Sequence, residues 1–456
     1  MSENNIFLEN GVHKSTEEEK YVVPNDQSII KALENFRDLK LGFMMHWSPA
    51  TQLGLTESWP LSDGDMDWSA KEIFWTNDRE EFKNQYFETA TTFNPIKFSP
   101  ELYAKIAKEC GFKYLLFTTK HHDGFCMWDT KTTDYKITNP NFPFSKNKNS
   151  DIVKRLFDSF RNEGLGISAY FSKADWHSNY YWADSESKFK TRNTNYDPAE
   201  KPELWEKFVN FTHKQIRELI YDYGKVDVLW LDGGWVRPEV LSQDLRFNEL
   251  VPELREKYPE LLIADRTVGG EFENILTPEQ SIPDHEIHVP WETCLTMGNS
   301  FSFHYEEVYK STKTLVHNFI DIISKGGNLA LNITPQPDGA LPLEGLHKLR
   351  QFGYWVNQNS DAIYKTRISK IKQTTGYNLR YTAKENKDYV FFLYEDYPYL
   401  PRKIYINTKL PLKSVRHLRT NQAVNFEQID DTRAILYTEN ISLLGAEYAE
   451  SFELNY

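Results

Sequence analysis

Between about residue 21 and residue 365, short apolar runs alternate with longer stretches of helical period. The runs are 41–47, 114–120, 165–172, 226–232, 261–266 and 328–334. They are nearly continuous rather than alternating, which marks strands buried on both faces. Helical patterns fill 100–110, 151–163, 204–223, 240–257 and 305–325, and Gly111, Gly164, Gly224 and Gly326 supply stop signals. This β–α rhythm predicts a parallel sheet with helical crossovers.

Polar residues gather where the runs end: His46 and Trp47, then His121 and His122, then Tyr170, Ser172 and Lys173, then Asp232, Arg266 and Asn332. Trp291 and Glu292 fall where a further strand is expected to finish. A closed (β/α)8 barrel builds its site from many strand ends, whereas an open doubly wound sheet concentrates it at one switch point. The spread predicts an α/β chain with a (β/α)8-like (TIM) barrel, of which six or seven strands are visible and the eighth is not. After residue 366 strand-like segments such as 389–394 and 403–407 are separated by Pro, Asn, Asp and Lys clusters. The expected organisation is a flexible arm over 1–20, a barrel over 21–365 and a small β-domain over 366–456.

Composition narrows the class. Aromatic residues make up 15% of the 456, too many for a disordered chain. They form either a large core or a site with flat faces that suit sugars. The net charge of −13 argues against nucleic acid or an anionic membrane as partner. No run is long enough to span a bilayer, and the polar N-terminus has no apolar signal core. A cytoplasmic location is expected if that N-terminus is native, and a periplasmic or secreted one if a signal was removed. The 3 cysteines include no CxxC pair.

Asp232 ends Val-Leu-Trp-Leu-Asp-Gly-Gly-Trp (228–235), where a buried carboxylate needs a partner or a use. A turn or N-cap aspartate is the bland alternative. Glu292 in Pro-Trp-Glu-Thr-Cys (290–294) offers a second carboxyl for a two-carboxylate glycosidase site, or is an exposed loop residue. Glu286, Asp284 and Glu57 compete with it as partner. His121 and His122 read as metal ligands or, preferably, as donors and acceptors for sugar hydroxyls, since adjacent strand residues point apart. Arg266 is a clamp for a carboxylate or hydroxyl, or a salt-bridge residue. Trp59, Trp128, Trp176 and Trp291 are stacking faces or core. No P-loop, GxGxxG or GxSxG pattern occurs.

Leu-Gly-Phe-Met-Met-His-Trp (41–47), Lys-Tyr-Leu-Leu-Phe-Thr-Thr-Lys-His-His-Asp-Gly-Phe (113–125) and Trp-Leu-Asp-Gly-Gly-Trp (230–235) together resemble the α-L-fucosidases of glycoside hydrolase family 29. So do Asp-Arg-Thr-Val-Gly-Gly (265–270), Pro-Trp-Glu-Thr-Cys (290–294) and Asn-Leu-Ala-Leu-Asn-Ile-Thr-Pro-Gln-Pro-Asp-Gly (328–339). The resemblance covers about residues 20 to 365 and implies a barrel followed by a C-terminal β-sandwich. It implies a retaining hydrolase that needs no metal or other cofactor, with Asp232 as nucleophile. The segment 265–294 looks like the subgroup selective for α-1,3/1,4-linked fucose, in which Glu292 would be the acid/base. His46, Glu57, Trp59, His121, His122, Tyr170 and Arg266 would bind fucose, with Trp235 and Phe301 facing its methyl group. The implied partner is a fucosylated oligosaccharide, with oligomeric state open. Broader fucosidase specificity, a non-catalytic fucose-binding protein and a metal-dependent hydrolase are the alternatives. Phe301-Ser302-Phe303 and His304 depart from the family pattern just behind the expected acid/base.

Overall fold

The computed structural model describes residues 15–372, 378–394 and 400–456. The expected arm over 1–20 lies largely outside them. Its described end docks on the barrel, where Thr16 donates to Glu273 (2.6 Å) and Glu18 accepts from the His288 amide (2.8 Å).

Seven parallel strands lie in the order β5-β4-β3-β2-β1-β7-β6. They are β1 Leu41–Met45, β2 Tyr114–Lys120, β3 Gly166–Ser172, β4 Val228–Asp232, β5 Leu262–Asp265, β6 Glu292–Thr296 and β7 Asn328–Asn332. Helices α1 (Gln27–Leu39), α2 (Arg79–Glu88), α3 (Pro100–Glu109), α4 (Ile152–Asn162), α5 (Pro202–Tyr221), α6 (Phe247–Lys257), α7 (Thr312–Ser324) and α8 (Leu343–Gln358) surround them. The strands read as continuous apolar runs because their outward faces meet these helices and their inward faces meet one another. Met44, Leu116, Tyr170, Trp230, Ala264, Cys294 and Ala330 fill the lumen. Ile29, Leu33 and Phe36 of α1 pack into the same cluster, with Phe36 5.6 Å from Tyr114, so α1 plugs the N-terminal mouth.

The gap between β5 and β6 is where the eighth strand belongs. Residues 272–280 fill it without forming a regular strand. Phe272 and Asn274 bond to Asp265 and Ile263 on the β5 side. Leu276 and Glu279 then pair in parallel with Trp291 and Cys294 on the β6 side. β6 therefore starts at Glu292 and ends at Thr296. The expectation that Trp291 and Glu292 close a strand is reversed, because Pro290 marks the entry to β6.

Two antiparallel sheets follow. Six strands order as β13-β12-β16-β10-β9-β8 and three as β11-β15-β14. Their ranges are β8 Arg367–Ile368, β9 Leu379–Lys384, β10 Lys387–Leu393, β11 Lys403–Asn407, β12 Ser414–His417, β13 Gln422–Ala423, β14 Asn425–Asp430, β15 Arg433–Tyr437 and β16 Ala449–Asn455. β10 is apolar on both faces: Val390 and Phe392 join the core between the sheets, while Tyr389, Phe391 and Leu393 join the barrel core. No helix among the described residues is long and apolar enough to cross a membrane.

Candidate active site

A pocket of about 710 Å³ opens at the C-terminal end of the strands. Asp232 lies on its wall, in phase with Trp230 and therefore facing the lumen. Three groups hold its carboxylate. The Gly233 amide donates at 2.7 Å and Arg266 Nη1 at 3.0 Å to Oδ1, and the Tyr170 hydroxyl donates at 2.5 Å to Oδ2. The glycine pair makes this possible. A Cβ on Gly234 would stand 2.8 Å from the Arg266 carbonyl, so only a residue without a side chain lets the β5 loop bring Arg266 this close.

Arg266 bridges two carboxyls, since its Nη2 donates to Glu279 Oε2. Burial works against the guanidinium charge, but Glu279 and Asp232 outweigh it and raise its pKa. Glu57 stands on the same wall. Burial, reinforced by the Glu279 charge, pushes its carboxyl up to about 8, so it carries a proton at neutral pH. Its backbone holds φ at 41°, a left-handed conformation that costs a non-glycine residue energy.

The imidazoles surround the opposite side. The Asn332 amide is oriented by its own donation to the Phe301 carbonyl (2.9 Å), so its oxygen accepts from His46 Nδ1 at 3.1 Å. That leaves His46 Nε2 as an acceptor, and burial lowers the ring to about 4, so it stays neutral. Ser58 meets His121 Nδ1 at 2.6 Å. The Ser172 hydroxyl donates to the Ala174 carbonyl (2.7 Å), which makes it the acceptor for His122 Nδ1 at 2.6 Å. His122 Nε2 faces Asp232 Oδ2 at 3.8 Å. His121, His122 and Asp232 bring three ligand atoms within 4.8 Å of one another. A cation there would meet the Arg266 charge and compete with the donors already on Asp232, so the donor set suits hydroxyls better than a metal.

Of the residues expected from sequence, His46, Glu57, Trp59, His121, Tyr170, Asp232, Arg266 and Phe301 line the pocket. His122 and Trp235 stand one layer behind, with Trp235 5.0 Å from His122 and 5.5 Å from Trp59. Glu292 is not brought to the pocket. It lies at the N-terminal start of β6, 1% exposed, and accepts from Tyr114 and from Trp230 Nε1 (3.2 Å). Trp230 forms the pocket floor above it and the α1 plug closes the lumen around Tyr114 below it. A carboxyl sealed in this way reaches neither a leaving group nor water. Glu286 is exposed on the loop before β6, and Asp284 with it. The pocket's other glutamate is Glu279 of Thr-Pro-Glu-Gln (277–280), which the sequence alone does not single out because no apolar run marks its irregular segment. Its one signal is an acidic residue 13 positions after Arg266, in the stretch where the eighth strand is missing.

The comparisons agree with this geometry. The α-L-fucosidase family profile matches residues 8–361. The chain is 26% identical over 400 residues to the tissue α-L-fucosidase of Mus musculus, covering 82% of this chain and 80% of that one. It is 25% identical over 383 residues to the α-L-fucosidase of Dictyostelium discoideum, covering 79% and 77%. Among solved structures it is similar to α-L-fucosidase isoenzyme 1 of Paenibacillus thiaminolyticus, with TM-score 0.77, 27% identity and 94% and 99% coverage. It is also similar to the Thermotoga maritima α-fucosidase in complex with fucose, with TM-score 0.73, 26% identity and 96% and 98% coverage. A polar pocket at the strand ends of an irregular barrel, backed by an antiparallel β-domain and matched by the family profile over most of its length, makes this chain a glycoside hydrolase of the α-L-fucosidase family, glycoside hydrolase family 29.

Proposed function

We propose that the enzyme releases terminal α-L-fucose with retention of configuration, with Asp232 as nucleophile and Glu279 as acid/base. Asp232 attacks the anomeric carbon, and the bond to the aglycone oxygen breaks as Glu279 delivers a proton to that oxygen. Glu279 then takes a proton from water, whose oxygen attacks the same carbon and frees Asp232. The observation that carries this reading is the Arg266 fork, which engages Asp232 and Glu279 together. A single guanidinium can span only a short gap, in keeping with the ~5–5.5 Å carboxyl separation of retaining enzymes. Glu57, protonated at neutral pH and raised by burial and in part by the Glu279 charge, passes its proton to Glu279 as the glycosidic bond breaks, and receives from Glu279 the proton taken from water in the second step. The neutral imidazoles and the Trp59 face would bind the hydroxyls and ring of fucose. The preferred linkages in this reading are α-1,3 and α-1,4, resting on the motif likeness of segment 265–294 to that subgroup although the acid/base moves from Glu292 to Glu279.

Azide rescue tests the acid/base assignment. Glu279→Ala should lose activity on poorly activated fucosides and regain it with azide on an aryl fucoside, giving α-fucosyl azide because azide displaces the β-linked Asp232 ester with a second inversion. Rescue of Glu57→Ala or Glu292→Ala instead of Glu279→Ala would sink the assignment.

A further inference from the structure

The segment that departs from the family pattern, Phe301 to His304, leads into a second concavity. An open groove of about 1130 Å³ shares Thr56, Asn299 and Ser300 with the pocket and continues outward from it. Ser300 also donates to Glu57 (3.4 Å), so groove and pocket meet at an acidic residue of the site.

Two large aromatic rings stand exposed on this groove. Phe74 is 92% and Tyr305 68% exposed. Tyr305 is held although it faces solvent. Its hydroxyl donates to the Gln52 carbonyl at 3.0 Å, and Phe303 meets its ring edge at 5.1 Å. One side lies against Gly54, where a Cβ would come within 2.9 Å of the ring at a φ of +65°. An exposed ring fixed at its tip, edge and back is a preformed flat surface that loses little entropy when a ligand stacks on it. Around it stand Glu72, Glu306, Glu307 and His304, the last 3.6 Å from Glu72. Neither Lys nor Arg lines the groove among the described residues. Carboxylates and an imidazole accept from hydroxyls, and the three carboxylates repel an anion.

We infer that this groove is the aglycone site, and that it takes the neutral, reducing-side oligosaccharide of the fucoside with Tyr305 as its stacking platform. The inference rests on the fucosidase reading of the adjoining pocket. The groove is open to solvent and continuous with the pocket through Thr56, Asn299 and Ser300, so a chain of sugar rings can extend along it. Specificity for the leaving group then resides in segments 53–75 and 298–307, on the face where the chain departs from the family pattern.

Steady-state kinetics with two substrates test this. α-L-Fucosyl fluoride has a leaving group too small to enter the groove, whereas a fucosylated N-acetyllactosamine trisaccharide fills it. Tyr305→Ala should cut kcat/KM at least tenfold for the trisaccharide and change it by less than twofold for the fluoride. Tyr305→Phe, which keeps the ring, should stay within threefold of the parent on both. Equal losses on both substrates, or no loss on the trisaccharide, overturn the site. Equal turnover of the neutral trisaccharide and of its sialylated tetrasaccharide counterpart overturns the neutral class. If the parent cleaves neither substrate, the catalytic reading has failed. Saturation-transfer NMR with N-acetyllactosamine then decides the groove alone: binding lost in Tyr305→Ala upholds it, and no binding to the parent overturns it.

Discussion

At the scale of single residues, the pocket separates two kinds of carboxyl. Asp232 is surrounded by donors, whereas burial and the Glu279 charge hold Glu57 up to about 8. Its proton leaves as the pH rises through that value. The kcat/KM profile on an oligosaccharide should therefore fall on the basic side near pH 8, and Glu57→Gln should move that limb. A basic limb unchanged in the variant would remove Glu57 from proton storage. Asp232→Ala should abolish turnover while the circular dichroism spectrum persists. Glu292 titrates in a different role. Burial raises it from 4.5 to about 7, with the Tyr114 and Trp230 bonds opposing. A carboxyl raised in the fold favours the fold when protonated. That contribution is complete below about pH 4.5 and is lost as pH rises through about 7. Glu292→Gln should flatten the dependence of Tm on pH across this window and retain turnover. Asp232 was legible because a charge at the end of a fully buried strand must be paired or put to use. Glu292 misled because its neighbour Trp291 and its motif carry no sign of strand direction.

At the scale of elements, the irregular segment between β5 and β6 sets the site. A regular eighth strand would expose one side chain in two to the lumen. Here a turn at Gly269-Gly270 and a change of partner deliver Glu279 onto Arg266 instead. Asn274 is the fastening. Its amide oxygen accepts from the Ile263 backbone and from Arg255, each at 2.9 Å, and its amide nitrogen donates to the Glu271 carbonyl at 2.9 Å. Asn274→Ala leaves the buried Ile263 amide unpaired and frees the half-buried Arg255, and should cost about 1–3 kcal/mol. It should also lower kcat more than Asn→Ala changes on the outer helices, because Glu279 loses its anchor. Equal kcat in the variant would show that the segment holds its place without Asn274. Most strands were readable to within a few residues, since burial on both faces writes continuous apolar runs. This segment was not, because its backbone is satisfied partly by Asn274 and by single bridges, which leave no periodic trace.

At the scale of the whole molecule, the barrel and the β-domain share a core. Trp355 of α8 donates to the Ala449 carbonyl at 2.9 Å, and Arg380 of β9 pairs with Asp321 of α7 at 2.6 Å. Phe391, fully buried, belongs to the barrel cluster although it lies on β10. Phe391→Ala should cost about 3–5 kcal/mol. It should lower the temperature at which fucosidase activity is lost, despite its distance from the pocket. Separate unfolding transitions, with activity surviving the first, would contradict a shared core. The apolar run along β10 announced a strand. It did not announce that both faces are covered, because a run such as Tyr-Val-Phe-Phe-Leu reads the same whether its second face meets a helix or a sheet.

The proposed chemistry turns on Asp232 forming a bond to the anomeric carbon. Incubation with 2-deoxy-2-fluoro-α-L-fucosyl fluoride, followed by peptide mapping by mass spectrometry, tests this directly. The fluorine slows both steps, and the fluoride leaving group lets the first outrun the second. The predicted result is one fluorofucosyl unit per chain, attached within the peptide carrying Asp232. Attachment to Glu57, Glu279 or Glu292, or turnover of this reagent without any covalent adduct, would contradict the role of Asp232 as nucleophile.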